Sequence, residues 1–186
     1  MSLRAEVVAA ARDMHRLGLV AASHGNVSAR EADAVHITPT ALPYEGMSDE
    51  DLVTLSLAGE VVAGHREPSS ERRVHLAVYA ARPDVSAIVH THSVYATAWS
   101  FRGEPLDTGT DELQATAGGP VRTAAEAPSG SDAIARAAVD ALNGRCAALL
   151  ARHGVIGVGD SPARALDVCA VVERQAQLAW LLGQAR

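Results

Sequence analysis

The sequence predicts a single mixed α/β domain, and three observations carry that expectation. The chain has 186 residues, a length suited to one domain. Segments with helical spacing of apolar residues alternate with short runs rich in β-branched residues. Nearly half the residues (48%) are hydrophobic but only 3% are aromatic, so the core must be built of Ala, Val and Leu.

Taken in order, Leu3 to about Leu17 has helical spacing and stops at Gly18, a residue suited to close a helix. "SHGNVSAR" and "DAVHITPTALPYEGM" read as short strands separated by turns, and "DLVTLSLAGEVVAGH" as a hairpin around "AGE". "PSSERRVHLAVYAARPD" is bracketed by Pro68 with its serines and by Pro83, which delimits a helix of about three turns. "DVSAIVHTH" reads as a strand and "SVYATAWSFRG" as a helix. Residues 103–130, rich in Gly, Thr and Pro, are expected to be irregular. Helical periodicity returns in "GSDAIARAAVDALNG", with Ser131 or Asp132 near its cap. "CAALLARHGVIGVG" reads as a hairpin about "RHG". From Ser161, "SPARALDVCAVVERQAQLAWLLGQ" is the longest helical pattern, with Ser-Pro at its start.

The totals exclude several classes. A formal net charge of −6 argues against a nucleic-acid partner, which selects for a basic stripe. Two cysteines, Cys146 and Cys169, make no disulfide framework and no Cys-x-x-Cys, which points to a reducing cytoplasm. Charges at Arg4, Glu6, Arg12 and Asp13 spoil an N-terminal signal core, and no apolar run is long enough to span a bilayer. All the basic residues are Arg, so no lysine is present to form a Schiff base. Neither Gly-x-Ser-x-Gly nor His-Glu-x-x-His occurs, which disfavours the hydrolases those motifs mark.

Strand alternation sends His90 and His92 to one side, where they are either half of a metal site or two polar residues closing a strand. His153, in the "RHGVIG" turn, and Glu71, at the first turn of a helix, add a third imidazole and a carboxylate. Three histidines leave one position for carboxylate, water or substrate, as catalytic zinc requires, although other divalent ions accept these ligands too. His15 and His65 are assigned to the surface. His75, one turn after Glu71, is given a packing role or a place behind the ligands.

At this point "GLVAASHGNVSAR", "HITPTALPYEGMSDEDLV", "EPSSERRVHLAVYAARPDVSAIVHTHSVYATA" and "LLARHGVIGVG" together resemble the class II aldolase/adducin family, nearest to its zinc-dependent fuculose-1-phosphate aldolases. The resemblance keeps the family's motif order from about Gly18 to Gly159. It implies a mixed sheet with helices on both faces across the whole chain. It also implies a homotetramer with active sites at subunit interfaces, where Glu126 or Arg122 could reach a neighbour's site. Zn²⁺ would be held by His90, His92 and His153, with Glu71 as acid/base. A phosphate would be bound by Gly25, Asn26, Thr40, Ser69 and Ser70. Outside that context, Ser70 reads as a helix cap and Asn26 as a turn residue. The implied reaction is retro-aldol cleavage of a small ketose 1-phosphate to dihydroxyacetone phosphate and an aldehyde.

Three departures stand out. Ala41 replaces the glycine of the family's "TPTG", adding a methyl beside the phosphate and disfavouring positive φ. "AEAPSG" replaces a tyrosine-bearing "PYATFG"-like segment and aligns Glu126, a substitute acid or an exposed loop glutamate, with that tyrosine. The aldolases also carry a C-terminal tail with a second tyrosine, whereas this sequence ends at Arg186. Losing the leaving-group acid makes a sugar-acid phosphate decarboxylase, or a pentulose-5-phosphate 4-epimerase, a serious rival. An adducin-like interaction domain is disfavoured because the three histidines and Glu71 are all present.

Overall fold

The computed structural model describes residues 1–183 and forms one eight-stranded sheet with helices on both faces. The strands are β1 (Asn26–Glu31), β2 (Ala34–Ile37), β3 (Val53–Ser56), β4 (Val61–Ala63), β5 (Ala87–Thr91), β6 (Arg122–Ala124), β7 (Ala147–Leu150) and β8 (Gly154–Gly159). Their spatial order is β4-β3-β2-β1-β5-β8-β7-β6. Every neighbouring pair is antiparallel except β6 with β7. The helices are α1 (Leu3–Arg16), α2 (Arg72–Ala81), α3 (Val94–Ser100), α4 (Asp111–Ala117), α5 (Asp132–Ala141) and α6 (Pro162–Leu181).

Side-chain alternation along the strands divides the core in two. Val27, Ala29, Ala87, Val89, Leu149 and Val155 pack beneath α1, α3, α4 and α6. Val35, Ile37, Ile88, Ala148, Leu150 and Ile156 face the other way, against α2 and α5. Small aliphatic side chains let helices and sheet approach closely, which compensates for the scarcity of aromatics. Arg82 ties the two helices of the second layer together: its guanidinium donates to the carbonyls of Leu142, 2.9 Å, and Arg145, 3.0 Å, past the end of α5. Among the described residues, no helix is long and apolar enough to cross a membrane.

Most elements lie where their sequence signals put them. Ser131 caps α5, and Ser161 with Pro162 starts α6. Two corrections are needed. The segment 103–130 is not irregular throughout: it holds α4, capped by Thr110 and closed by Gly118 at φ 80°, and the short β6. Glu71 takes the N-cap position of α2 and makes no side-chain cap, so the helix proper begins at Arg72. The expected reach of the last helix to Gln184 lies, for that residue, outside the described residues.

Helix α3 starts directly after the His-x-His motif and lacks a cap of its own. Ser93 occupies the N-cap position without a side-chain hydrogen bond. Instead the Glu173 carboxylate, reaching from α6, accepts from the backbone N–H groups of Tyr95 at 3.0 Å and Ala96 at 2.8 Å. Charge-assisted bonds at a helix N-terminus are worth about 1–2 kcal/mol. Glu173→Ala is therefore expected to lower unfolding free energy by about that amount in urea titration, with Glu173→Gln losing less.

Candidate metal centre

The pairing of β1, β5 and β8 sets the floor of the site. Asn26 opens β1 opposite His90, and His90 lies opposite Ile156 of β8. His92 follows just beyond β5, with its Nε2 2.9 Å from that of His90. His153 sits in the turn between β7 and β8, and its Nε2 is 3.4 Å from His90 Nε2. Glu71, at the start of α2, completes the group: Oε2 is 3.2 Å from His90 Nε2 and Oε1 is 3.1 Å from His153 Nε2. All four donor atoms lie within 4.8 Å of one another, a cluster able to hold a metal ion.

The chemistry of the donors fits that role. His90 Nδ1 lies 2.8 Å from the Val155 carbonyl, which only accepts, so Nδ1 carries a proton and Nε2 is the nitrogen that faces the cluster. Two glycines make room. Gly25 has φ 80°, and a Cβ there would sit 2.7 Å from the His90 carbonyl oxygen. A Cβ on Gly154 would collide with the Thr91 carbonyl and crowd the rings of His90 and His92.

The charges are tightly coupled. Burial alone would raise the Glu71 pKa, but the charge of His90 and the hydrogen bonds from His153 and His90 outweigh it and hold the carboxyl well below its usual range. Burial lowers His90, yet the Glu71 carboxylate prevails and raises it. His92 is lowered to about 3 by burial, then by the neighbouring charges of His90 and His153. Glu71 also accepts from Asn26 Nδ2 at 2.8 Å and from Ser129 Oγ at 3.0 Å, so each carboxylate oxygen has a neutral donor besides an imidazole.

A cleft of about 240 Å³ opens beside the cluster, and Gly25, Asn26, Thr40, Ser69 and Ser70 all line it. The turn carrying Gly25 is held by Tyr44, whose hydroxyl donates to the Gly25 carbonyl at 2.6 Å. Ser69 Oγ accepts from the Glu71 N–H at 3.2 Å, while Ser70 is exposed to the cleft. Ala41 also lines the cleft and adopts φ 56°, so the chain keeps a glycine-type backbone despite the methyl.

Other expected residues lie elsewhere. Glu126 is exposed, 3.5 Å from Arg152, and does not line the cleft. Arg122 spends its guanidinium on the carbonyls of Ala141, the last residue of α5, and Asn143 just past it. His65 is exposed, as expected; His15 is half-buried, its ring 6.4 Å from that of Tyr44. Ser129 escaped sequence reasoning, because a serine in "APSG" carries no sign that its loop folds over Glu71. His24 escaped it as well: its ring stacks on His92 at 5.6 Å.

The sheet and this cluster define an α/β protein with a partly buried group of three imidazoles and one carboxylate able to hold a metal ion. The chain belongs to the class II aldolase family: the sequence profile of the Class II Aldolase and Adducin N-terminal domain matches residues 5–180. It is 40% identical over 177 residues to the 5-deoxy-D-ribulose 1-phosphate aldolase of Bacillus thuringiensis, covering 94% of this chain and 83% of that one. Identity is 36% over 180 residues with the 5-methylthioribulose-1-phosphate/5-deoxyribulose-1-phosphate aldolase of Rhodospirillum rubrum, covering 97% and 81%. A solved L-fuculose 1-phosphate aldolase superposes with a TM-score of 0.93 at 32% identity, covering 98% of this chain and 86% of that one. These relatives are carbon–carbon lyases.

Two outcomes follow from the geometry. Changing His92 or His153 to Ala should abolish tight binding of a divalent ion, read by dialysis and elemental analysis. Ala41→Gly should raise unfolding free energy by about 0.5–1 kcal/mol, because relief of a left-handed alanine slightly exceeds the entropy cost of glycine.

Proposed function

We propose that this chain is a zinc-dependent aldehyde-lyase that cleaves a small ketose 1-phosphate to dihydroxyacetone phosphate and an aldehyde. The observation that carries the reading is the convergence of three imidazoles and one carboxylate, their donor atoms within 4.8 Å of one another, beside a polar cleft. Tetrahedral zinc with bonds of about 2.0–2.1 Å has ligand–ligand edges of about 3.3–3.4 Å. From His90 Nε2 the separations are 2.9 Å to His92, 3.2 Å to Glu71 and 3.4 Å to His153, of which the last two approach that edge. His90, His92 and His153 would be the protein ligands. When bound, zinc supplies Lewis-acid stabilisation of the negative charge left by carbon–carbon cleavage.

The remaining chemistry falls to the chain's own residues. Glu71, ionised at rest, would receive the proton given up by the substrate hydroxyl that becomes the aldehyde and deliver it to the carbanionic carbon of the three-carbon fragment, with the reverse transfers in the synthetic direction. Its donors Asn26 and Ser129 hold the carboxylate in place for that transfer. Gly25, Asn26, Thr40, Ser69 and Ser70 bind the phosphate with amides and hydroxyls, aided by the N-terminus of α2. The methyl of Ala41 narrows that pocket. Two relatives act on 5-deoxyribulose 1-phosphate, so 5-deoxypentulose 1-phosphates head the candidate substrates. A cytoplasmic homotetramer belongs to the same reading.

Decarboxylation of a phosphorylated sugar acid, or 4-epimerisation of a pentulose 5-phosphate, is the second reading. One observation favours it: no tyrosine lines the cleft among the described residues, so no phenol stands ready for a departing aldehyde.

The deciding assay is dihydroxyacetone phosphate release from a panel of ketose 1-phosphates, with and without chelator. Release that stops on chelation and returns with zinc is the expected result. Glu71→Gln should retain zinc while losing about 100- to 10,000-fold in rate. Release indifferent to chelation would sink the zinc reading. Zinc binding without cleavage of any ketose would turn the search to phosphorylated sugar acids.

A further inference from the structure

A buried chain of hydrogen bonds runs beneath α2 and ends on Glu71, and the reaction above leaves most of it without a task. Tyr79 Oη is 2.8 Å from Ser28 Oγ, and Ser28 Oγ is 2.6 Å from His75 Nδ1. His75 Nε2 is 2.5 Å from Asn26 Oδ1, and Asn26 Nδ2 is 2.8 Å from Glu71 Oε2. Ser28, His75 and Tyr79 are at most 1% exposed. Burying an imidazole and two hydroxyls in a layer otherwise made of Val, Ile, Leu and Ala costs free energy that a leucine at position 75 would avoid.

Counting donors fixes the direction of every bond. The Glu71 carboxylate only accepts, so Asn26 must turn its NH₂ end to it and its carbonyl to His75. That carbonyl accepts only, so His75 Nε2 carries a proton. Burial lowers the His75 pKa to about 3, so the ring is neutral at ordinary pH and Nδ1 is an acceptor. Ser28 then donates to Nδ1, and its oxygen is free to accept from Tyr79. A flipped amide would set two acceptors against each other at Glu71 and, in a neutral ring, force the opposite tautomer.

We infer that His75 is a positioning residue for Glu71: through Nε2–H it locks the Asn26 amide with its NH₂ end on the carboxylate, and the buried Ser28 and Tyr79 hydroxyls lock His75 in that tautomer. The inference builds on the reading of Glu71 as the proton-transfer group. It also commits both ends of the Asn26 side chain, so what Asn26 offers a phosphate is its backbone. His75 does not touch substrate; it acts by keeping Asn26, and through it the carboxylate, in one orientation.

The test uses His75→Leu, which removes the donor, and His75→Gln, whose amide N–H reaches towards Asn26. His75→Leu should keep zinc, hold KM within about threefold, and lose about 10- to 100-fold in kcat, as expected for a misplaced catalytic group. His75→Gln should recover most of that loss. A wild-type kcat in His75→Leu, or equal losses in both variants, would overturn the inference. An independent readout needs no turnover: ¹⁵N shifts of the His75 imidazole in the wild-type protein should report a neutral ring protonated at Nε2 near pH 7. A cationic ring, or one protonated at Nδ1, would equally overturn it. Should His75→Leu not fold, Ser28→Ala takes its place. It is expected to mix the His75 tautomers and lower kcat at constant KM, and unchanged values of both would count against the proposal. If the wild-type protein cleaves no ketose 1-phosphate, the proposed reaction fails while the tautomer measurement still decides this inference.

Discussion

The structure depends on keeping one carboxylate, Glu71, buried against two imidazoles. An unpaired buried carboxylate would take up a proton and lose its charge; here charge and hydrogen bonds hold it ionised. Each surrounding element delivers one part of that compensation. The register of β1 with β5 brings Asn26 beside His90, and the turn between β7 and β8 brings His153. The loop before α5 brings Ser129. The N-cap position of α2 frees Glu71 from helix geometry, so that its side chain turns towards the cluster and not along the helix. Much of the sheet and of the second helical layer is thus scaffold for a single ionised group.

Much of this was legible in the sequence because the signals were local. Helical period with a Ser cap gave α5 and α6, and the His-x-His alternation gave the common side of His90 and His92. What stayed hidden involved contacts across many residues or elements too short to carry a period. In β6 only three residues pair, and in parallel, so no alternation marks it. In α4 only Leu113 and Ala117 are buried, too few for a recognisable stripe, although Thr110 and Gly118 were usable end signals. Glu173 caps α3 from 78 residues away, which no window along the chain reveals.

The roles given to His90, His92, His153 and Glu71 came from resemblance, and the geometry adds what resemblance lacked. Glu126, aligned with a family tyrosine, lies at the surface with Arg152, whereas Ser129, three residues on in the same loop, donates to Glu71. A motif alignment follows positions along the chain, but a loop presents whichever side chain its turn directs inward. The loop is held against the start of α2, since a Cβ on Gly130 would come 3.0 Å from the Ser70 carbonyl. That contact explains how one exposed segment reaches a buried carboxylate.

Ala41 shows the same conflict between residue type and site geometry from the other side. A left-handed alanine costs roughly 1–2 kcal/mol relative to the ordinary helical region, so the surrounding contacts have to hold it there. The chain supplies them: Pro39 bridges to Pro68 and Thr40 N–H donates to the Glu67 carbonyl at 3.0 Å, which ties the turn to the segment leading into Ser69, Ser70 and Glu71. Relaxing Ala41 would pull the turn from that segment and open the wall of the cleft. Backbone strain of this kind persists where surrounding contacts over-determine it, and such positions gather at binding sites. Ala32, in the exposed turn between β1 and β2, is left-handed as well, at φ 50°, so the φ of Ala41 reports how its turn is tethered, and the position of that turn on the cleft wall is what links it to the site.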